Sequence, residues 1–258
     1  MNRFSRPRLI TFDDPAYQQH VAQMQLQRAN QRATRPPAQR DLFGGEAEQL
    51  LRAALAERFE LSDRRILEYE ERKGRNWQRK YRELDALVVE GQARVHVFEI
   101  KASRRTGALH RALRQLRDTR AILELAVRTV SATVLLVDTG LLTAEEQAAI
   151  AAEEDAPERL PQTLADALAE HPEVRQVETI GALQPFPDAI ELVVLSVDEI
   201  IALANGAPLS LDWEADEEDE PVEPPAPSSE PLYSTEDEAE SPFAAALRKA
   251  AAKPKRTP

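Results

Sequence analysis

Alternating apolar and polar residues identify a β-hairpin near the middle of the chain. Two runs rich in Val, Leu, Ile and Phe lie on either side of Glu90-Gly91-Gln92, within residues 81–103. Turn-forming residues between two such runs predict a pair of antiparallel strands. If residues 91–93 form the turn, Asp85 lies directly opposite Glu99, with their Cβ atoms roughly 5 Å apart.

This hairpin carries charges where a half-buried strand is expected to be apolar. Side chains alternate between the two faces of a strand, so Glu99 and Lys101 share one face with Val95 and Val97. With Asp85 opposite, two carboxylates and one ammonium meet at one place. Neighbouring buried acids are unfavourable unless a cation lies between them. We therefore expect Mg²⁺ or Mn²⁺ here, because Mg²⁺ prefers carboxylate oxygens and keeps waters that can attack a phosphodiester.

The same residues resemble the PD-(D/E)XK nuclease superfamily, which has an Asp near the start of one strand and Glu-x-Lys at the end of the next. Asp85, Glu99 and Lys101 match this pattern, and Leu84 stands where the family has Pro. The resemblance implies a metal-dependent nuclease with a restriction-endonuclease-like fold, acting on nucleic acid, with DNA the expected form. Lys101 would orient or deprotonate the attacking water, or stabilise charge on the phosphate.

A helix before the hairpin offers a third acid. From Asp41, the sequence DLFGGEAEQLLRAALAERF places its apolar residues on one helical stripe. The resemblance implies that this helix contributes an acid to the metal site, and Glu46 and Glu48 flank the stripe. Glu48 is preferred because Leu51 and Leu55 follow it by three and seven residues, as in the family. Alternatively, either acid only stabilises the helix N-terminus.

The predicted elements follow the order helix, three strands, helix, strand over residues 41–139. The first strand is expected at residues 66–70, a helix at 108–127 follows the hairpin, and the apolar run 132–138 is a buried strand. This αβββαβ order is the core of the superfamily, an α/β fold in which helices flank a central mixed sheet.

Gln115 in the second helix is a further candidate site residue. Several branches of the superfamily carry a Gln in this helix that points at the active site. One branch has Tyr four residues later, where this chain has Thr119. The alternative is an ordinary helical Gln without a role in the site.

Cations concentrate in the first half of the chain, although its net charge is −12. Residues 1–130 contain 26 Lys and Arg against 17 Asp and Glu, whereas residues 131–258 contain 7 against 28. The basic segment, RKGRNWQRKYR at residues 72–82, mixes cations with aromatics, which suits contacts with phosphates and unpaired bases. Equally, it could be a solvated hairpin loop whose aromatics anchor the core. The predicted nucleic-acid-binding residues are Arg72, Lys73, Arg75, Trp77, Arg79, Lys80, Tyr81, Arg104 and Arg105.

Composition divides the chain into three parts. Residues 1–40 form a basic arm, either an accessory helix from Pro15 to about residue 32 or a disordered tail. Residues 41–206 form the nuclease-like domain, with a core at 41–139 and an extension at 140–206 that either widens the sheet or forms a cap. Residues 207–258 are acidic and Pro-rich, so disorder is expected. At their end, Phe243 and Leu247 could fit the groove of a partner protein.

Missing residue types and segments exclude several classes of protein. The chain has no Cys, which excludes disulfides, thiolate zinc sites and a Cys nucleophile. No apolar run is long enough to span a membrane, and the amino terminus has no apolar signal core, so we expect a cytoplasmic protein without membrane contact. The alternative function is a non-catalytic nucleic-acid-binding or protein-recruiting module on the same fold. The sequence also leaves open whether the protein forms a homodimer.

Overall fold

The computed structural model describes residues 3–31, 40–91, 93–153 and 156–205. In this part the chain forms a mixed α/β fold with six α-helices and eight β-strands. The helices are α1 (Pro15–Gln31), α2 (Arg40–Ala56), α3 (Gly107–Leu123), α4 (Ala144–Ala151), α5 (Leu164–Ala169) and α6 (Val197–Leu203). The strands are β1 (Phe4–Ile10), β2 (Ile66–Lys73), β3 (Asn76–Glu83), β4 (Ala86–Glu90), β5 (Arg94–Ser103), β6 (Thr129–Asp138), β7 (Val174–Val177) and β8 (Ile190–Ser196).

A five-stranded mixed sheet forms the centre, in the order β4-β5-β6-β8-β7. Strand β4 pairs antiparallel with β5, and the other neighbours pair in parallel. Strand β6 is buried from Val130 to Val137, because helices cover both faces of the sheet. Leu113 of α3 packs in the cluster on one face, and Leu51 of α2 and Ile200 of α6 pack in the cluster on the other.

A second, antiparallel sheet has the order β1-β2-β3 and leads directly into the first. After β3 the chain passes through Leu84 and Asp85 and continues as β4. The Leu84 amide still donates a hydrogen bond of 2.9 Å to the Arg65 carbonyl, just before β2. Asp85 therefore lies at the point where the chain stops pairing with β2 and begins to pair with β5.

The predicted mixed α/β class is confirmed, and most predicted elements lie within a few residues of the observed ones. The extension over residues 140–206 widens the central sheet, because β8 pairs with β6 and β7 pairs with β8. Four strands separate α2 from α3, where three were expected. The additional strand is β3, which has no alternating apolar pattern because residues 73–80 are all exposed.

The amino-terminal segment contains the helix of one predicted alternative and a strand that was not predicted. Helix α1 is present as one of the two alternatives had it, and Tyr17 of that helix packs with Ile10 and Ile66. Strand β1 was missed because Pro7 interrupts its pattern. A register shift between Ser5 and Arg8 accommodates the proline on an edge strand.

Some predictions fall on residues that the structure does not describe. The acidic tail at 207–258, including Phe243 and Leu247, lies outside the described residues. Within the described part, every helix is too short or too polar to cross a membrane.

Candidate active site

The β4–β5 hairpin has the predicted register. Ala86 pairs with Phe98, and Glu90 pairs with Arg94. Continuing this pairing by one residue brings Asp85 opposite Glu99, as expected from the sequence. The Ile100 amide donates a hydrogen bond of 2.6 Å to Asp85 Oδ2, which holds the Asp85 carboxylate against β5.

Glu99 is the centre of the candidate site, and its side chain is only 1% exposed. The Lys101 ammonium forms an ion pair with Glu99 Oε1, and Gln115 Nε2 donates to Glu99 Oε2 at 3.0 Å. Apart from this ion pair, the buried Oε1 atom of Glu99 has no hydrogen-bond partner among the described residues. Two of the predicted residues, from β5 and α3, thus converge on one carboxylate, and Asp85 lies opposite.

Burial disfavours the ionised form of both carboxylates, Asp85 and Glu99. The pKa of Glu99 is raised to about 7, first by burial and then by the negative charge of Asp85, against the attraction of Lys101. Burial also raises the pKa of Asp85, although Lys101 and the Ile100 amide oppose this change. The two acids are therefore under-compensated near neutral pH, and a further cation between them would be favourable.

Arg82 holds Gln115 in place. Sequence reasoning had given this arginine no role in the acidic site. Arg82 Nη1 donates to the Gln115 carbonyl at 2.9 Å and to Thr119 Oγ1 at 2.7 Å. Thr119 Oγ1 in turn donates to the Gln115 carbonyl at 2.8 Å. Arg82 of β3 therefore braces the turn of α3 from which Gln115 reaches Glu99. The two contacts of Arg82 join residues more than thirty positions apart, so no local signal could have revealed them.

The α2 acids lie at the edge of this cluster. Glu48 Oε1 is 3.4 Å from Arg65 Nη1, and its pKa is raised by burial and then by Asp85. Glu46 is partly buried on the same helix. Arg52, one turn after Glu48, has a buried Nε without a hydrogen bond in the described part of the chain, and burial followed by Arg65 lowers its pKa. Arg52 and Arg65 are therefore two cations beside the acids, and sequence reasoning did not identify either of them.

No three acidic or histidine side chains among the described residues are grouped closely enough to hold a metal ion. The predicted four-acid set of Asp85, Glu99, Glu48 and Glu46 is therefore not assembled there as one cluster. Asp85 and Glu99 still face each other, and one or two carboxylates are what Mg²⁺ commonly takes from a protein when waters and substrate phosphate complete its shell. The residues present fit such an ion at this pair.

The basic segment forms the end of β2, a tight turn at Gly74 and most of β3. Its two aromatic residues lie in different environments. Tyr81 anchors the core, with its ring 5.5 Å from Tyr17 and 4.8 Å from His20. Trp77, by contrast, is 45% exposed. Arg104 and Arg105 are exposed in the loop that follows β5, three and four residues beyond Lys101.

Comparison of this chain with protein-family models, with curated proteins and with solved structures finds no match. A fold alone does not determine a function, so the function has to be inferred from the chemistry of the site.

Proposed function

We propose that this protein is a metal-dependent nuclease that hydrolyses phosphodiester bonds of DNA. The observation that carries the proposal is the convergence of Asp85, Glu99, Lys101 and Gln115 at the junction of β4, β5 and α3. A surface that only bound nucleic acid would gain nothing from two carboxylates beside the phosphates, because like charges repel. Acids with raised pKa values and one specific charge partner are typical of functional sites.

The surrounding architecture supports the likeness to the PD-(D/E)XK superfamily. Helix α2 precedes the strands, the β4–β5 hairpin carries the charged residues, and α3 leads to β6, which lies parallel to β5. These elements follow the order of a restriction-endonuclease-like core, except that β3 is an additional strand and pairs with β2 in the separate three-stranded sheet. Gln115 reaches the acid pair, as in the branches of the superfamily that carry this residue.

Each residue then has a distinct task. Asp85 and Glu99 would hold Mg²⁺ or Mn²⁺, which would supply positive charge at the scissile phosphate and lower the pKa of a bound water. Lys101 places its ammonium beside the same carboxylates, where it orients the attacking water or stabilises charge on the phosphate. Gln115 orients Glu99, and Arg82 holds the backbone of Gln115. Glu48, whose pKa is raised by burial and then by the charge of Asp85, is the α2 acid that interacts with this pair.

Two observations favour the alternative of a non-catalytic nucleic-acid-binding module. The Lys101 ammonium already forms an ion pair with Glu99, and the described residues contain no group of three metal-binding side chains. In that case Lys101 would only neutralise a structural carboxylate. Metal dependence of cleavage distinguishes the two functions.

The test is a cleavage assay on single-stranded, duplex, flapped and branched DNA with Mg²⁺ or Mn²⁺. Asp85→Asn should lose cleavage by a factor on the order of 10² or more, as expected when a transition-state contact is removed. Glu90→Gln is the matched control, because it makes the same kind of change at the far, exposed end of β4. Equal activity of the two variants would refute the assignment of Asp85.

A further inference from the structure

The basic segment projects from the body of the protein as an exposed hairpin. Residues 72–82 contain six cations and no acid, and residues 73–80 are all exposed. In the register of the hairpin, Arg72 lies directly opposite Trp77, and Lys73 lies opposite Asn76. Arg72, Lys73 and Arg75 therefore place three positive charges at the tip, beside Trp77.

Other ionic groups near this hairpin are already paired closer to the body. Arg79 Nε lies 3.1 Å from the buried Glu68, which also binds Arg8. Glu71 is paired with Arg3, the residue before β1. Acids on β2 are thus compensated by nearby arginines, and they do not cancel the charge at the tip.

Trp77 is the outer aromatic of this hairpin. Tyr81, four residues further on the same strand face, packs against α1. An exposed indole can stack on any base that offers a free face, and each such stack contributes roughly 1–3 kcal/mol. Bases inside a duplex are already stacked on their neighbours. A cationic tip with an exposed Trp therefore complements a strand that is both anionic and unpaired.

We propose that the tip of the basic segment binds unpaired nucleotides of the substrate, with Trp77 stacked on a base and Arg72, Lys73 and Arg75 contacting the flanking phosphates. The preferred substrate then contains a single-stranded stretch, such as a flap, gap or free end. This assignment of substrate class rests on the proposed nuclease function, whereas the stacking contact is independent of it.

The continuity of the strand limits how far that stretch lies from the acid pair. Trp77 and Asp85 are eight residues apart along β3 and its extension into β4. At roughly 3.3 Å per residue, this distance is at most about 26 Å. Nucleotides are spaced by about 3.4 Å along each strand of a duplex, so cleavage should fall within about eight nucleotides of the unpaired stretch.

The two tryptophans of the chain make the stacking contact measurable. In a Trp213→Phe background the remaining emission comes from Trp77. Titration of this protein in EDTA with oligothymidylate should quench that emission strongly, and a blunt duplex of equal length should quench it weakly. Trp77→Ala should weaken binding of oligothymidylate by roughly tenfold, as expected for one lost base stack. It should change duplex binding by less than twofold.

Phe12→Ala is the matched control, because Phe12 is 51% exposed but lies beyond the end of β1, outside the basic segment. It should leave both affinities unchanged. Trp77→Phe should retain part of the affinity for oligothymidylate, since the smaller ring still stacks. If oligothymidylate binds without quenching Trp77, or if Trp77→Ala weakens binding to both forms equally, the proposal is wrong.

Because these titrations need no cleavage, the two proposals can fail separately. Quenching by oligothymidylate without cleavage of any substrate in Mg²⁺ would remove the nuclease function and keep the stacking contact. Cleavage that depends on Asp85 but is unchanged by Trp77→Ala would keep the nuclease function and remove the stacking contact. For an active enzyme, cut sites mapped on duplexes with a flap at varied positions should move with the flap, and cuts independent of the flap would overturn the proposed spacing.

Discussion

Replacing Glu99 with Gln should stabilise the metal-free protein at alkaline pH, because the wild-type protein must hold a buried, poorly compensated carboxylate there. The pKa of Glu99 is raised from its ordinary 4.5 to about 7. A tenfold change in an acid constant corresponds to about 1.4 kcal/mol, so full ionisation of Glu99 in the fold lowers the free energy of unfolding by about 3 kcal/mol.

The sign follows from proton binding. Between pH 4.5 and about 7, the folded protein keeps a proton on Glu99 that the unfolded chain has released. The contribution of Glu99 to stability is therefore fully present below pH 4.5 and is lost as the pH rises through about 7. Glu99→Gln cannot ionise, so its stability should lack this decline. The difference in free energy of unfolding between variant and wild type should grow by about 2–3 kcal/mol from pH 5 to pH 8.

Urea unfolding of both proteins in EDTA across this pH range measures the difference directly. Asp85→Asn provides a graded comparison, because it removes the second cause of the raised pKa of Glu99 and leaves burial, the larger cause, in place. It should therefore weaken the decline without abolishing it. Adding Mg²⁺ should restore stability to the wild type at high pH and not to Asp85→Asn. Parallel stability curves for wild type and Glu99→Gln would refute the electrostatic account of the site.

Three other predictions concern different parts of the molecule. His96 is fully buried, and burial lowers its pKa to about 4. The free energy of unfolding should therefore fall by up to about 3 kcal/mol as the pH drops from 6.5 through 4. In urea unfolding, His96→Gln should lessen this fall. Changing Lys73 and Arg75 to Gln should lower the salt slope of oligothymidylate binding by roughly 0.7 for each lost phosphate contact, while Arg79→Gln, already paired with Glu68, should change it less. Calorimetric Mn²⁺ affinity should rise between about pH 6 and pH 8 as Glu99 loses its proton; a flat profile would count against Glu99 as a ligand.

Local patterns were sufficient for the hairpin at the centre of the site. The turn residues and the period of two determined its register, which brought Asp85 opposite Glu99. The period of helix α3 likewise put Leu109 and Leu113 in the core. Such features depend on neighbours within a few residues, so the sequence displays them directly.

What sequence reasoning missed depends on contacts between distant residues or on backbone pairing. Strand β3 is held by its ladder with β2 and by ion pairs such as Arg79–Glu68, and neither produces an apolar period. Arg65 reaches Glu48 across the gap between β2 and α2, and Arg82 reaches α3. An arginine in a basic run looks the same in sequence whether it faces solvent or braces a helix.

The central claim is that Asp85, Glu99 and Lys101 form a metal-dependent catalytic site, and Lys101→Ala tests it most directly. Mn²⁺ titration by calorimetry and cleavage of flapped DNA are measured on the same protein samples. Lys101→Ala should bind Mn²⁺ at least as well as the wild type, because an ammonium no longer competes for Glu99, yet lose cleavage by a factor on the order of 10² or more. Asp85→Asn should lose both. A wild-type protein that binds DNA but neither binds Mn²⁺ nor cleaves any substrate would contradict the claim.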